Sequence, residues 1–448
     1  MIVVGGGLVG QTLAEKLSRD GHDVTLVESD PDKARELSDR LDVQVIEGNG
    51  ATAPVLRSAG IESASLVLAS TNCDEVNVVV GFLAASLFDV PRVVVRVHDP
   101  QHEEGFAQVA RERPGEHACV NPDSATVDRI ATLLEVPGAV DVVTFLDGEL
   151  LVAGFRIAES SDFAHLHVSD IQLLFAATPT LAVAIHRGPD WLVPGGDEEI
   201  LPGDLVYFAI ARHELSDVLS LVGVPDDRRG RIMIAGAGPI GLALARRLES
   251  RDLRAILLEQ DSRLAERAAE LLDDALVIHG RVTDQDLLEQ EEIEGVSTFV
   301  AVTPDHETNL VAGLLAKRLG AGRAFALVDN PALVGLVGDI GIDAIISPRS
   351  VTIGLMLQHI RGTGVRSGAA LLEDAIEVME VEAARGSRLT SATLADVRLP
   401  RGVLIAALRR GNRLLLPRGD DRVEQGDRVL FITTTDLAPK IAEYLTPR

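Results

Sequence analysis

The chain opens on Met1-Ile2-Val3-Val4-Gly5-Gly6-Gly7-Leu8-Val9-Gly10, a stretch that leaves few folds open. A β-branched run leads straight into Gly5-x-Gly7-x-x-Gly10, and an amphipathic helix is predicted from Leu8 to Ser18. Strand, glycine turn and helix in this order begin a Rossmann unit. Gly5 permits the tight turn. Gly7 lets the backbone approach a pyrophosphate, and Gly10 lets the helix pack against the strand. The helix N-terminus supplies free N–H groups and a positive dipole end. Eighteen residues after Gly10, Glu28 closes a second predicted strand, Asp23 to Val27. A carboxylate there accepts hydrogen bonds from a ribose diol and repels a 2′-phosphate, which favours NAD(H) over NADP.

The pattern continues as strand–helix alternation. Helices are expected at Pro31 to Leu41, Val55 to Ala59, Asp74 to Phe88 and Phe106 to Arg111. Strands are expected at Val43 to Ile46, Ser65 to Ala69, Arg92 to Val97 and Ala118 to Val120. Such alternation gives a doubly wound parallel sheet whose order reverses between its first and fourth strands. The strand ends carrying Gly5–Val9 and Thr71–Asn72 then border one crevice. An amphipathic helix, Ser124 to Glu135, leaves this unit. Short strands follow from Asp141: Val142 to Phe145, Leu151 to Ile157, Leu181 to His186 and Leu205 to Ala211. A helix at Leu215 to Leu221 and a polar linker, Pro225 to Gly230, close the small module.

Then the pattern begins again. Arg231-Ile232-Met233-Ile234-Ala235 runs into Gly236-Ala237-Gly238-Pro239-Ile240-Gly241, and Glu259 lies eighteen residues beyond Gly241. Pro239 suits the first helical turn. Gly48 matches Gly280, Glu75-Val76-Asn77 matches Glu307-Thr308-Asn309, and Pro122 matches Pro348. The small module repeats as well: Pro202-Gly203-Asp204 corresponds to Gln425-Gly426-Asp427, each before a buried strand. The predicted fold is α/β, a tandem duplication of a Rossmann-like domain followed by a small α+β domain. The expected boundaries are 1–120, a helix at 121–140, 141–225, 231–347, a helix and linker at 348–370, and 371–448.

With 448 residues and 46% hydrophobic content, the chain has material for several cores. Its net charge of −26, with only four lysines, argues against binding nucleic acid or an anionic membrane directly. The chain enters a core strand at once, so no signal peptide is expected. The longest apolar run, Val76 to Phe88, is broken by Asn77 and falls short of the about 20 residues a membrane span needs. Two isolated cysteines, Cys73 and Cys119, suit a reducing, cytoplasmic compartment.

The pattern of reactive groups speaks against an enzyme. Hydride transfer needs a proton donor beside the cofactor. The residues four beyond Tyr207 and Tyr444 are Ala211 and Arg448, so no Tyr-x-x-x-Lys pair exists. There is no P-loop lysine, no HExxH helix and no nucleophile elbow. Asp197, Asp204, Asp420 and Asp427 read as tight-turn residues before metal ligands. Two nucleotide sites without evident chemistry suggest sensing.

The paired glycine motifs, the acids Glu28 and Glu259, and the repeated Gly-Asp turns together resemble the TrkA family of Trk potassium-uptake regulators. These carry two tandem RCK units, each with an N and a C subdomain, and the resemblance covers essentially the whole chain. It implies binding of NAD(H), with ATP or ADP as the alternative ligand. It also implies a homo-oligomer, expected to be a tetramer, and docking on a membrane potassium-translocating subunit, with a different cation transporter or antiporter as the alternative partner. The helices Ser124–Glu135 and Val351–Arg361 correspond to the family's crossover helices.

The positions matching the family's first site are Gly5, Gly6, Gly7, Leu8, Val9, Gly10, Glu28, Asn49, Thr71, Asn72 and Arg96. In the second unit they are Gly236, Ala237, Gly238, Pro239, Ile240, Gly241, Glu259, Arg281 and Thr303. Arg96 is expected to meet ligand phosphate, with an ion pair to Asp99 as the alternative. Leu327 stands at the Arg96 position and Arg281 at the Asn49 position, so the second site is expected to differ in preference or bind weakly. Related regulators that bind ATP often carry arginine where Leu8 and Pro239 stand, and this departure tilts the first site towards NAD(H).

Overall fold

The computed structural model describes residues 1–174, 180–188, 190–225, 230–251, 253–330, 341–359, 365–371, 376–435, 437–438, 441 and 444. The linker residues 226–229 and the end of the second expected crossover helix, 360–361, lie outside them. Four sheets organise the chain. The first runs, from edge to edge, Gln44–Glu47, Thr25–Glu28, Ile2–Val4, Val67–Ala69, Arg92–Arg96 and Glu116–Val120, all parallel. The third repeats this order with Leu276–His279, Ala255–Glu259, Arg231–Ala235, Val296–Ala301, Arg323–Leu327 and Ala344–Ile346. Ile2 to Val4 are buried on both faces, as the uninterrupted apolar run requires of a central parallel strand.

The second and fourth sheets are small and antiparallel. One runs Asp190–Leu192, Thr180–Arg187, Leu205–Ala211, Leu150–Arg156, Ala139–Phe145. The other has the same order: Arg413–Leu415, Val403–Arg410, Arg428–Thr434, Ile376–Glu382, Val365–Leu371. The tandem α/β duplication is therefore present in sheet order as well as in motif. Several elements are longer than their sequence signals. The helix read from Phe106 begins at Pro100, because the Asp99 carboxylate caps the Gln101 N–H at 2.8 Å. The hairpin strand Asp190–Leu192 and the helix Val168–Leu174 carry too little periodicity to have been read.

The chain forms two compact units, Met1–Thr126 with Ser347–Gly362, and Val127–Ile346 with Thr363–Arg448. The crossover helices explain this division. The second, Pro348–Gln358, packs in the first unit: Ile353 and Met356 join Leu13, Ala14 and Leu17 of the helix Leu8–Arg19. The first, Pro122–Glu135, continues into the second unit. There Val127, Ile130 and Leu134 share a core with Leu244 and Leu248 of the helix Pro239–Glu249. Arg247 reaches Asp128 at 3.1 Å, and Arg251 pairs with Glu135. Each Rossmann sheet is thus covered by the helix that follows the other.

Within the second unit the two small modules meet. The Leu146 N–H donates to the buried Glu380 carboxylate at 3.0 Å, and Arg409 and Arg428 both bond Asp147. The two arginines hold the Asp147 carboxyl down to about 2. Among the described residues no helix is long and apolar enough to cross a membrane.

Candidate functional site

In the first Rossmann sheet the glycine turn leaves the central strand exactly where its neighbour Val67–Ala69 ends. Gly5 takes φ +104°, and a β-carbon on it would stand 2.9 Å from the Thr71 nitrogen. Only glycine serves there. A β-carbon on Gly10 would lie 1.9 Å from the Gly5 carbonyl, so this glycine brings helix against turn. Gly7 differs: nothing lies within 4 Å of its would-be β-carbon. Its bareness faces open space at the N-terminus of the helix Leu8–Arg19, which no side chain caps. Leu8 is exposed and Val9 faces the core, so these two offer their backbone N–H groups rather than their side chains.

Glu28 is 8% exposed and its carboxylate is held from below. Oε2 accepts the Gly6 N–H at 2.9 Å, and Oε1 accepts the Asp30 N–H at 2.9 Å. Lys33 lies 3.7 Å away. Burial opposes the charge, yet these N–H groups and Lys33 outweigh it and lower the pKa. Each carboxylate oxygen keeps lone-pair capacity for a diol. The Gly6 N–H, by contrast, is engaged by Glu28.

At the far side of the turn sits a residue the sequence reading used only for register. Asn77 is fully buried. Its Oδ1 accepts the Thr71 N–H and hydroxyl, each at 2.8 Å. Its Nδ2 donates to the Thr71 carbonyl at 3.0 Å and the Arg96 carbonyl at 2.8 Å. One amide side chain therefore ties the ends of two strands. Arg96 donates to the Thr71 carbonyl at 3.0 Å and not to Asp99, whose carboxylate caps its own helix. Burial lowers the Arg96 pKa, against the pull of Asp74 and Asp123. Arg96 Nε and Ser70 Oγ are buried and make no hydrogen bond among the described residues. Asn49 is exposed and accepts the Ala51 N–H at 2.9 Å, next to Gly48, whose N–H bonds the Glu28 carbonyl. Asn72 is exposed at the same edge. Burial, with Glu103 and Asp74 nearby, pushes the Cys119 thiol up to about 12, which disfavours the thiolate.

The second sheet repeats the frame. Gly236 takes φ +112° beside Thr303, and a β-carbon on Gly241 would stand 1.8 Å from the Gly236 carbonyl. Gly238 again faces open space. Glu259 accepts the Ala237 N–H at 2.7 Å and the Asp261 N–H at 2.8 Å. Asn309 bonds the Thr303 N–H, hydroxyl and carbonyl, and the Leu327 carbonyl. What differs is the rim. Leu327 is buried where Arg96 reaches Thr71, Arg281 is exposed where Asn49 stands, and Pro239 and Ile240 replace Leu8 and Val9.

In the small modules Asp204 and Asp427 prove to be structural anchors. Asp204 takes Arg187 in a two-pronged ion pair and the Leu201 N–H at 2.8 Å; Asp427 takes Arg410 and the Glu424 N–H at 2.8 Å.

Comparison with known proteins agrees with this architecture. A TrkA-N domain model matches residues 1–112 and 232–348, and a TrkA-C domain model matches 378–446. The Trk system potassium uptake protein TrkA of Azorhizobium caulinodans is 33% identical over 440 residues, 97% of this chain and 96% of that protein. The protein of the same name from Halomonas elongata is 34% identical over 437 residues, 96% and 95% of the two chains. Among solved structures, the GsuK channel bound to NAD is similar, with TM-score 0.62 and 20% identity, covering 99% of this chain and 78% of that one. The GsuK RCK domain is similar with TM-score 0.61 and 21% identity, covering 99% and 94%. These structural likenesses carry the fold. The curated relatives, aligned along nearly the full length of both chains, carry more: this chain belongs to the family of Trk system potassium uptake proteins, TrkA.

Proposed function

We propose that the chain is a regulatory, non-enzymatic subunit of a potassium-uptake system that senses NAD(H) at its first Rossmann sheet. The supporting observation is the pairing of Glu28 with Gly7. A preset carboxylate suits a ribose diol, and a bare glycine at an uncapped helix N-terminus suits a pyrophosphate. In that reading Gly7, Leu8 and Val9 give backbone N–H groups to phosphate. Thr71, Asn72 and Arg96 line the far half of the dinucleotide, and Asn49 borders the adenosine half. Arg96 and Ser70 supply buried polar atoms that a ligand would engage. The family's named role is potassium uptake, and a neighbour in fold is described as NAD-bound. The second sheet, with Leu327 and Arg281 at its rim, has a weaker or different nucleotide preference. ATP or ADP is the alternative ligand of the chain as a whole.

A nucleotide changes a partner only through its different affinity for two conformations of the assembly. The partner here is a membrane potassium-translocating subunit, and the assembly is a homo-oligomer, a tetramer in the family's pattern, attached to the inner face of the membrane through that subunit.

Calorimetric titration of the whole chain with NADH, NAD, ATP and ADP tests this. The same titrations with Glu28→Ala and Glu259→Ala assign the sites, while NADH absorbance is followed with candidate substrates. Saturable NAD(H) binding that Glu28→Ala abolishes, without turnover, is the expected result. Absence of binding by all four nucleotides would overturn the sensor reading. Sustained NADH consumption would restore an oxidoreductase.

A further inference from the structure

The duplication lets the two small modules be compared position by position, because their turns carry the same hydrogen bonds. The Ile157 N–H bonds the Asp204 carbonyl, and the Ala383 N–H bonds the Asp427 carbonyl. Ser161 bonds Ala158 as Ser387 bonds Ala384, and Ala164 bonds Ser161 as Thr390 bonds Ser387. The isolated bridge His167–Glu199 recurs as Thr393–Arg422. In this register Arg385 stands at the position of Glu159, Ser391 at that of His165, and Arg422 at that of Glu199.

In the first module these three residues satisfy one another. His165 Nδ1 lies 3.1 Å from Glu199, and its Nε2 lies 3.9 Å from Glu159. The ring reaches both acids from a left-handed backbone, φ +66°, which a side chain of this size seldom adopts. In the second module Ser391 has an ordinary φ of −81°, and its hydroxyl donates to the Arg388 carbonyl at 2.7 Å. A short side chain turned to its own backbone replaces the ring, while two guanidiniums replace the two carboxylates.

Arg385 and Arg422 come from separate turns and line one recess of about 390 Å³, together with Gly386, Thr390 and Ser391. Both arginines are exposed, and neither guanidinium has a hydrogen bond or ion pair among the described residues. One carboxylate, Glu424, also lines the recess, but it is already engaged: its Oε1 lies 2.7 Å from Arg410 Nη1. Glu382, at the end of the neighbouring strand, does not line it. Two like charges in one concavity repel each other unless an opposite charge joins them. The rest of the wall is polar and open to close approach. A β-carbon on Gly386 would meet nothing within 4 Å, and exposed Gln425 offers an amide donor.

We propose that this recess binds the phosphate group of a small phosphorylated molecule, clamped between Arg385 and Arg422. The planar guanidinium fork pairs with two phosphate oxygens at once. Two such forks suit a phosphomonoester, which carries about −1.5 to −2 charge at neutral pH. The recess has the size of a small-molecule site, with room beyond the phosphate itself. The first module, with Glu159 and Glu199 closed around His165, takes no such ligand, so each chain has one site. The site stands apart from both glycine turns and is independent of nucleotide binding there.

Calorimetric titration of the full chain with inorganic phosphate at constant ionic strength tests this, with acetate as the comparison anion. Saturable phosphate binding is expected, and Arg385→Ser with Arg422→Ser should weaken it by about tenfold or more. Arg413→Ser with Arg418→Ser, exposed arginines outside the recess, should leave it unchanged. The triple variant Arg385→Glu, Ser391→His, Arg422→Glu transplants the set that the first module already carries and should also lose phosphate. A measurement on the unaltered chain needs no variant to fold: phosphate should protect Arg385 and Arg422, and not Arg413, from phenylglyoxal, read by mass spectrometry. Phosphate binding that survives the serine variant, or no protection of the two arginines, would overturn the proposal. Equal loss in the Arg413 and Arg418 variant would reduce the effect to diffuse attraction. Acetate bound as tightly as phosphate would overturn the assignment to phosphate.

Discussion

Gly10 faces the carbonyl of Gly5 so closely that a β-carbon would stand 1.9 Å from the oxygen. Gly10→Ala must therefore push the helix Leu8–Arg19 away from its turn. The expected cost is about 1–3 kcal/mol, as for other overpacked sites, with loss of nucleotide binding at the first sheet. Gly7→Ala meets nothing within 4 Å and should leave stability nearly unchanged while weakening nucleotide binding. Urea unfolding and calorimetry of the two variants separate packing from ligand approach.

Asn77→Leu keeps the volume of a buried side chain and removes its hydrogen bonds. The Thr71 N–H and the Arg96 carbonyl lose their partner, while the Thr71 carbonyl keeps only Arg96. Unfolding free energy should fall by about 2–4 kcal/mol, since each buried polar group left unpaired costs about 1–3 kcal/mol. Asn309→Leu should act likewise on the second sheet.

Acid should weaken the first glycine turn through Glu28. Its pKa in the folded chain lies below the ordinary 4.5, because the N–H groups of Asp30 and Gly6 and the Lys33 charge outweigh burial. A depressed carboxylate contributes stability above its unfolded value. That contribution is lost as pH falls from 4.5 through the lower folded value. Denaturation curves collected from pH 6 downwards should therefore steepen less for Glu28→Gln than for the wild type. The test pH range is about 3 to 6, set by the ordinary carboxylate values.

Met356→Ala should loosen a helix more than three hundred residues away in sequence. Met356 is fully buried against Leu13 and Leu17. Its truncation leaves a cavity worth about 2–5 kcal/mol. Hydrogen exchange should rise in Leu8–Arg19 and stay unchanged in Pro239–Glu249.

Much of this molecule is legible in its residues, for physical reasons. A turn that only glycine can make leaves a fixed spacing, so Gly5, Gly10 and Glu28 announce the Rossmann unit, and their repetition at Gly236, Gly241 and Glu259 announces the second. Other features leave no such mark. The apolar face of Ser124–Glu135 tells that the helix is buried and not against which sheet; Ile130 and Met356 look alike whether packed locally or exchanged. Asn77 looks like an interruption of an apolar run, since a buried amide is recognised only once the carbonyls it bonds are in place. Arg96 was open between ligand and Asp99, and its bond to the Thr71 carbonyl follows from a strand pairing that no local pattern encodes.

The exchanged helices have a consequence for how such a chain can be divided or inherited. Residues 1–225 and 230–448 look like two complete copies, yet each compact unit draws on both. A fragment ending near residue 225 would keep a first sheet stripped of Ile353 and Met356, and would present the orphaned face of Pro122–Glu135 to solvent. Two separately synthesised halves would therefore be incomplete until they found each other. The arrangement is the one that two separate molecules exchanging helices would adopt, with the exchange held inside one chain. Covalent joining fixes the two copies at one to one, whatever their rims carry, Arg96 in one and Leu327 in the other.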